Sequence, residues 1–573
     1  MKLLLCYILA SVTSALSFTP CPLLGPAFPP YTLDTDDKIL NKALETLTHK
    51  FNTQLGGNSG SHGETSPNTT FSVALFSANP GTAAEEPFFW EYHYAAPWLN
   101  KSTSGGARVV DKDSVYRIGG LTEVFTVWSL LLGDGGLILD EPVTEYLPEL
   151  NRAAGDDIER VAWDEVTVGQ LASHMSGLAR DYCSRDVAAP GLPKLSSINT
   201  CCSNPDKCDS NNFIQLISEK PPVAPAGVTP SYSNMAFQLL GYIIERRAGK
   251  PFTDVLTNDI FTALNMTKTS IFAPANNSVS PVIPISREAS GWSSRLGGEE
   301  ASKSIYSSTK DLAIAGQAIL NSTLLDKSQT NRWLKPVAHT SNPANSLGMP
   351  FTIYLGGNYP DQSLVDVYTV LSNEGYNESL YSSYIGLVPD YGVGYAILSA
   401  DTEGPADLNA HADIIGDVVL TALVKMAVLQ AGESFNGTYT AAADSTSLSS
   451  ITVRQDNLMG LYIDEFISNG TDFRETLSGL VGVEQSKDLS IRLYPTQRVG
   501  SKQAFRAVLQ DVTELADNDT PTCVSWMDVD ELQYGGRGLD EFVFEVDERG
   551  RAVGVEIPAL RVVLSRVYSD RLR

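Results

Sequence analysis

The 573-residue sequence predicts a mixed α/β chain of the α+β kind, in which helices flank an antiparallel sheet and a smaller β-rich domain follows at the C-terminus. Three observations carry that expectation. Residues 382–387 and 392–399 are apolar runs joined by Val388-Pro389-Asp390-Tyr391, a hairpin pattern. Residues 411–430 follow as a long helix whose Ile414, Ile415, Val418, Val419 and Leu423 can cover a sheet. Beyond Gly432 helical periodicity gives way to short alternating runs.

From the N-terminus, Met1 to Ala10 places one positive charge ahead of an apolar run that closes on small residues at Ala15-Leu16-Ser17. Residues 1–17 therefore read as a secretory signal cleaved near Phe18. Residues 18–430 make the large domain. Within it, residues 70–77 and 91–95 are strands joined by a Pro/Gly/Ala turn. Residues 121–132 are apolar without Gly or Pro and form a buried helix entered through Gly119-Gly120. Residues 166–177 are expected as a helix stopped by Gly177, and residues 235–248 as another. Residues 183–212, with four cysteines among Pro, Ser and Asn, form a loop insertion that disulfides would staple. Residues 431–573 make the C-terminal domain, with strands at 450–453, 460–466, 489–494, 505–509 and 542–546 and a hairpin turn at Asp547-Glu548-Arg549-Gly550.

Composition excludes several function classes. The chain carries 41 Lys and Arg against 67 Asp and Glu, a net charge of −26, so no nucleic-acid partner is expected, because phosphate binders cluster cations. At 43% hydrophobic it can bury a full core. No later stretch reaches the apolar length of a membrane span. Sequons at Asn68, Asn100, Asn265, Asn276, Asn321, Asn377, Asn436, Asn469 and Asn518 agree with a secreted, extracellular glycoprotein. Loss of Cys6 with the signal leaves Cys21, Cys183, Cys201, Cys202, Cys208 and Cys523, an even set open to disulfide pairing in an oxidising compartment. No His stands at ligand spacing from these cysteines, so neither a metal site nor a cofactor is expected.

The chemistry-bearing segments are Tyr116-Arg117-Ile118-Gly119-Gly120-Leu121-Thr122-Glu123-Val124-Phe125-Thr126, Ser231-Tyr232-Ser233-Asn234 and Tyr368-Thr369-Val370-Leu371-Ser372. Together with Leu171 to Leu178, Ile305 to Leu312 and Tyr381 to Leu398, they resemble the ordered motifs of the serine β-lactamase and penicillin-binding-protein-like family over roughly residues 30–430. The C-terminal domain resembles the one appended in its secreted fungal branch. The resemblance implies the β-lactamase/transpeptidase-like fold and a pocket lined by Gly120, Glu123, Tyr232, Asn234, Val370 and Ser372.

It also implies a departure. The family's Ser-x-x-Lys supplies a nucleophile and the base that deprotonates it. Here Gly120 stands at the serine position and Glu123 at the lysine position, while Val370 replaces the strand cation and Leu371 the small residue after it. The Tyr-Ser-Asn segment is kept. Ser307 to Lys310, the one Ser-x-x-Lys of the chain, reads as a helix start leading into Asp311. Thr122 is turned away from the site by helical spacing. Glu123 is expected to face Tyr232 across the pocket in the manner of a general acid or base. His174 is assigned a packing role remote from proton transfer, and Phe88 to His93 a strand and core role.

Three functions follow from this reading. The first is a β-lactamase-like pseudoenzyme that keeps a pocket for a small-molecule ligand, which an apolar cleft would suit. The second is a repurposed tailoring enzyme, a hydrolase, acyltransferase or cyclase using Glu123 and Tyr232, in the fungal secondary metabolism that the resemblance implies. The third, a hydrolase with another nucleophile, fits worst: a serine site stripped of its nucleophile keeps only roughly 10³–10⁴ over water.

Overall fold

The computed structural model describes the chain from Phe18 to Tyr568, apart from residues 35–36, 57–61, 64, 79–86, 102–104, 135, 154–157, 182–189, 193–209, 219, 276–278, 297, 357–364, 374–378, 443–446, 457 and 514–522. The expected signal segment, the sequons at Asn276, Asn377 and Asn518, and Cys183, Cys201, Cys202 and Cys208 lie outside the described residues. The described residues fall into two compact units. One spans Thr32–Gly357 and Leu364–Ala422, and the other spans Leu423–Arg573 with the N-terminal stretch up to Tyr31.

The larger unit is built on an eight-stranded sheet. Its strands are β1 (Thr70–Ser77), β2 (Phe88–Tyr94), β3 (Ala338–His339), β4 (Asn345–Leu347), β5 (Thr352–Gly356), β6 (Val365–Asn373), β7 (Tyr381–Val388) and β8 (Val393–Ala400). The order is β2-β1-β8-β7-β6-β5-β4-β3, with every neighbouring pair antiparallel. The expected hairpin is β7–β8, turned by Pro389–Tyr391 and by Gly392 in the left-handed region, φ 59°. All eight residues of β1, of β7 and of β8 are buried, which explains why these strands read as apolar runs and not as alternating patterns.

Helices cover both faces. Alternate side chains of a strand point to opposite faces. Phe71 of β1 meets Phe51 of α1 (Lys38–Leu55) at 6.0 Å between ring centroids and His411 of α7 (Asn409–Ile415) at 4.7 Å. Phe76, of the other parity, lies under α6 (Thr309–Leu320). The helices between that bear on the site are α2 (Thr122–Asp134), α3 (Val168–Ala172), α4 (Asn234–Ala248) and α5 (Glu300–Lys303). The expected helix at 166–177 is corrected to the five residues of α3. A capping box of Thr167 and Gln170 starts it, but His174 adopts a left-handed φ of 56° and turns the chain out. Gly177 ends that turn, where a Cβ would lie 2.0 Å from the Ala224 carbonyl oxygen. The helix expected at 411–430 is longer: α7 continues through a wider π turn at Gly416–Leu420 into α8 (Thr421–Phe435).

The smaller unit is an eight-stranded barrel of β9 (Gly437–Thr440), β10 (Ser450–Arg454), β11 (Leu461–Ser468), β12 (Leu489–Val499), β13 (Lys502–Asp511), β14 (Glu541–Val546), β15 (Ala552–Ile557) and β16 (Val562–Arg566). The order β10-β9-β16-β15-β14-β13-β12-β11 closes because β10 also pairs with β11. Closure removes the exposed edges that short strands would otherwise present. Phe505 and Phe544 contact each other and Phe435 edge-on, with each centroid separation at 5.3 Å, which fills the interior. A disulfide joins Cys21 to Cys523, and the Cys21 N–H donates to Gln510 Oε1 at 2.8 Å.

Two expectations can be checked by unfolding. A Cβ on Gly316 of α6 would lie 2.2 Å from the Phe76 ring, and that ring is already wedged against Gly394 of β8. Gly316→Ala should therefore destabilise by about 1–3 kcal/mol, outweighing the roughly 1 kcal/mol that alanine gains in a helix interior. In the β7–β8 turn, burial and the Asp366 carboxyl push Asp390 up to about 6 from an ordinary 3.8, against the pull of Lys335. The folded chain then holds the Asp390 proton through that window while the unfolded chain releases it, so this contribution to stability falls as pH rises from 4 to 6. Asp390→Asn should flatten that fall in a series of urea midpoints, with its gain confined to pH above the window.

Candidate functional site

The site begins where a short strand, Ser114–Arg117, passes into α2. Gly119, at φ 49°, makes the turn, and Gly119–Leu121 is a single 3₁₀ turn ahead of the helix. This start is stapled to the sheet. The Gly120 N–H donates to Ser372 Oγ of β6 at 2.8 Å, and Ser383 Oγ of β7 donates to the Ile118 carbonyl at 2.6 Å. Arg117, buried, donates to the Gly291 carbonyl at 2.7 Å. Thr122 Oγ1 accepts from the Ile305 N–H at 3.1 Å, so it faces away from the cleft as its spacing requires.

Glu123 sits in the first turn of α2 with 1% of its surface exposed. A carboxyl buried this deeply needs donors. The Tyr232 hydroxyl donates to Oε1 at 2.8 Å. Ser302 Oγ of α5 lies 3.0 Å from the same oxygen and 2.6 Å from Asn234 Oδ1, so its single proton serves one of the two at a time. His174 Nε2 stands 3.3 Å from Oε2. The Ser233 N–H points at His174 Nδ1, at 3.3 Å, which makes Nδ1 the acceptor and leaves the ring proton on Nε2, aimed at Glu123.

The outer members extend the same network. Asn234 Nδ2 donates to Asp181 Oδ1 at 2.5 Å, and the Arg180 guanidinium lies 4.6 Å over the Tyr232 ring. Ser233 caps α4 by accepting from the Ala236 N–H, which fixes Tyr232 one residue before the cap. Gly120 leaves room for a side chain: a Cβ there would lie 3.5 Å from Ser372 Oγ and 3.5 Å from Tyr232 Oη, ordinary contacts.

The family model described as Beta-lactamase matches residues 92–420, more than half of the chain, and one described as Beta-lactamase-like-like, C-terminal domain, matches residues 427–568. The chain belongs to the β-lactamase family. It is 29% identical to a β-lactamase-like protein of the fungus Arthroderma benhamiae over 96% of this chain and 97% of that one. It is 24% identical to a protein of Phoma sp. named probable hydrolase M10, over 85% and 83% of the two chains. Among solved structures, the penicillin-binding protein homologue from Pyrococcus abyssi aligns with a TM-score of 0.48 at 16% identity, over 91% of this chain and 99% of that one.

In this β-lactamase-family chain, five of the residues singled out from sequence meet in one place: Gly120, Glu123, Tyr232, Asn234 and Ser372. Val370, on the same strand face as Ser372, is packed into the hydrophobic core, while Leu371 points the other way and is 38% exposed. The packing role assigned to His174 is corrected. Its ring does pack, tilted, against Tyr232 and Phe237, at 4.6 and 5.0 Å, but it also touches the Glu123 carboxyl, so it belongs to the site. Ser302, Asp181 and Arg180 escaped the sequence reading because none lies in a motif. Phe88 to Tyr94 is the half-buried edge-side strand β2.

Removing the shared acceptor should be costly. Glu123→Ala strands the buried His174 Nε2–H and takes from the Tyr232 hydroxyl its carboxyl acceptor, and is expected to destabilise by about 2–4 kcal/mol in urea unfolding. Gly120→Ser, whose Cβ meets only ordinary contacts, should stay within about 1 kcal/mol of the parent in the same experiment.

Proposed function

We propose that this β-lactamase-family chain has left acyl-serine chemistry and binds a small molecule in the cleft beside Tyr232. The observation that carries the reading is the hydrogen-bond shell of Glu123. A lysine at that position would donate protons, whereas a carboxyl accepts them. The His174 ring, with Nδ1 committed to the Ser233 N–H, can only donate from Nε2, so this shell suits an acid and would meet an ammonium donor to donor. The site is thus fitted to its carboxyl. With Gly120 in place of a nucleophile, nothing at the start of α2 can form an acyl intermediate.

One arrangement favours a second reading, catalysis by proton transfer. Tyr232 is half-buried while Glu123 is wholly covered, so the phenol is the group a ligand meets and the carboxyl is the reservoir behind it. A tyrosine backed in this way can pass a proton to or from a bound molecule. The name of the Phoma relative, probable hydrolase M10, supports a hydrolytic role. A secreted, glycosylated protein is proposed on the strength of residues 1–17, the Cys21–Cys523 bridge and the sequons, of which Asn68, Asn100, Asn265, Asn321 and Asn469 are exposed and Asn436 is half-buried.

The purified protein is expected to give no covalent adduct with a labelled penicillin by intact-mass analysis, and no appreciable turnover of a chromogenic cephalosporin or a nitrophenyl ester. An adduct mapped to any serine would sink the proposal, and Ser372, whose Oγ faces Gly120, is the first place to look. Once a ligand is in hand, Tyr232→Phe and Glu123→Gln separate the two readings: binding kept with turnover lost marks proton transfer, and no turnover in the parent marks a binding role.

A further inference from the structure

The room over Gly120 has a definite polarity. The heavy atoms nearest to a Cβ built there are Ser372 Cβ, Ser372 Oγ and Tyr232 Oη, each at 3.5 Å, so a ligand atom seated in that place meets two polar oxygens and one methylene. Tyr232 is half-buried and Ser372 is 6% exposed, so neither is sealed from solvent.

The two oxygens offer opposite things. Ser372 Oγ accepts from the Gly120 N–H at 2.8 Å, and its own proton has no acceptor among the described residues. A donor left unused at this depth costs about as much as a lost hydrogen bond. Tyr232 stands the other way round. Its one proton goes to Glu123 Oε1 at 2.8 Å, so what the phenol oxygen turns towards Gly120 is a lone pair. One donor and one acceptor thus face the same small volume.

That pairing selects among the groups a ligand can present. A carbonyl or carboxylate oxygen could take the Ser372 proton but would meet Tyr232 oxygen to oxygen. An ammonium could donate to Tyr232 but would leave the Ser372 proton without an acceptor. A hydroxyl satisfies both through one atom. We propose that the Tyr232 cleft binds an alcohol, its hydroxyl seated over Gly120, where it donates to Tyr232 Oη and accepts from Ser372 Oγ. The ligand then supplies an oxygen beside the position at which the family's serine stands. This assignment rests on the reading of the cleft as a binding site and names the group which that site selects.

Para-fluorobenzyl alcohol, para-fluorobenzylamine and para-fluorobenzoate share a ring and a fluorine reporter and differ in one group. Fluorine NMR titrations of the full-length protein at neutral pH therefore rank hydroxyl, ammonium and carboxylate. The alcohol is expected to bind at least about fivefold more tightly than either of the others, the size of a matched against a mismatched hydrogen bond. Gly120→Ser fills the same room with a hydroxyl of the chain's own, through ordinary contacts, and should weaken the alcohol by about fivefold or more. Ser372→Ala adds no volume and removes the donor, and should weaken it by about as much. The assignment is overturned by silence with the alcohol, by any smaller preference for it, by an unchanged alcohol affinity in either variant, or by tighter binding of the benzoate, which the exposed Arg180 beside Tyr232 would favour. None of these outcomes restores acyl-serine chemistry, which a penicillin adduct on a serine would, so the two readings fail separately.

Discussion

Burial of the central sheet on both faces is the constraint from which the rest of the larger unit follows. Strands β1, β8 and β7 have no wet side, so their backbone groups must pair laterally and their side chains must fit helices above and below. Two cross-strand pairs show how the fit is achieved. Phe76 lies over Gly394, and Tyr395 over Gly386, each ring occupying the space that the facing glycine leaves. In the first pair Gly316 then lets α6 settle on the Phe76 ring. A sheet packed this tightly is a fixed platform, and the turn that leads into α2 is tied to it by serine hydroxyls from two adjacent strands.

On that platform a single carboxyl organises four segments. Glu123 draws Tyr232 from the approach to α4, Ser302 from α5 and His174 from the turn after α3 onto one group of α2. Hydroxyls can reverse the sense of a hydrogen bond, but the His174 ring cannot while the Ser233 backbone holds Nδ1. The polarity of the pocket is therefore set by a backbone N–H, two hydrogen bonds away from Glu123. Such shells fix geometry as firmly as the residues that touch a ligand.

Much of this was legible in the chain and some was not, for reasons that are physical. The hairpin β7–β8 and the strand β1 announce themselves as apolar runs with a turn, because strands buried on both faces carry no polar alternation. The helix after Ser233 is marked by its cap and by Gly249, which takes the left-handed C-terminal position. The helix expected through Gly177 fails because the left-handed turn at His174 is made by tertiary contacts around a non-glycine residue. Strands β9, β15 and β16 were missed, since four to six residues that complete a barrel have too little pattern of their own. Ser302 was invisible for a different reason: its role comes from α5 crossing beside α2, a proximity of 179 positions in sequence.

The Cys21–Cys523 bridge spans 502 positions and so makes nearly the whole polypeptide one closed covalent loop. A protease that cuts once anywhere inside that loop opens it without releasing a fragment, because both pieces remain joined through sulfur. Outside a reducing environment the loop can therefore be nicked and still diffuse as a single molecule, and two cuts within it are needed before any part of it is lost. For a protein whose larger unit lies between the two cysteines, the bridge acts as a tether against limited digestion as well as a support for the barrel.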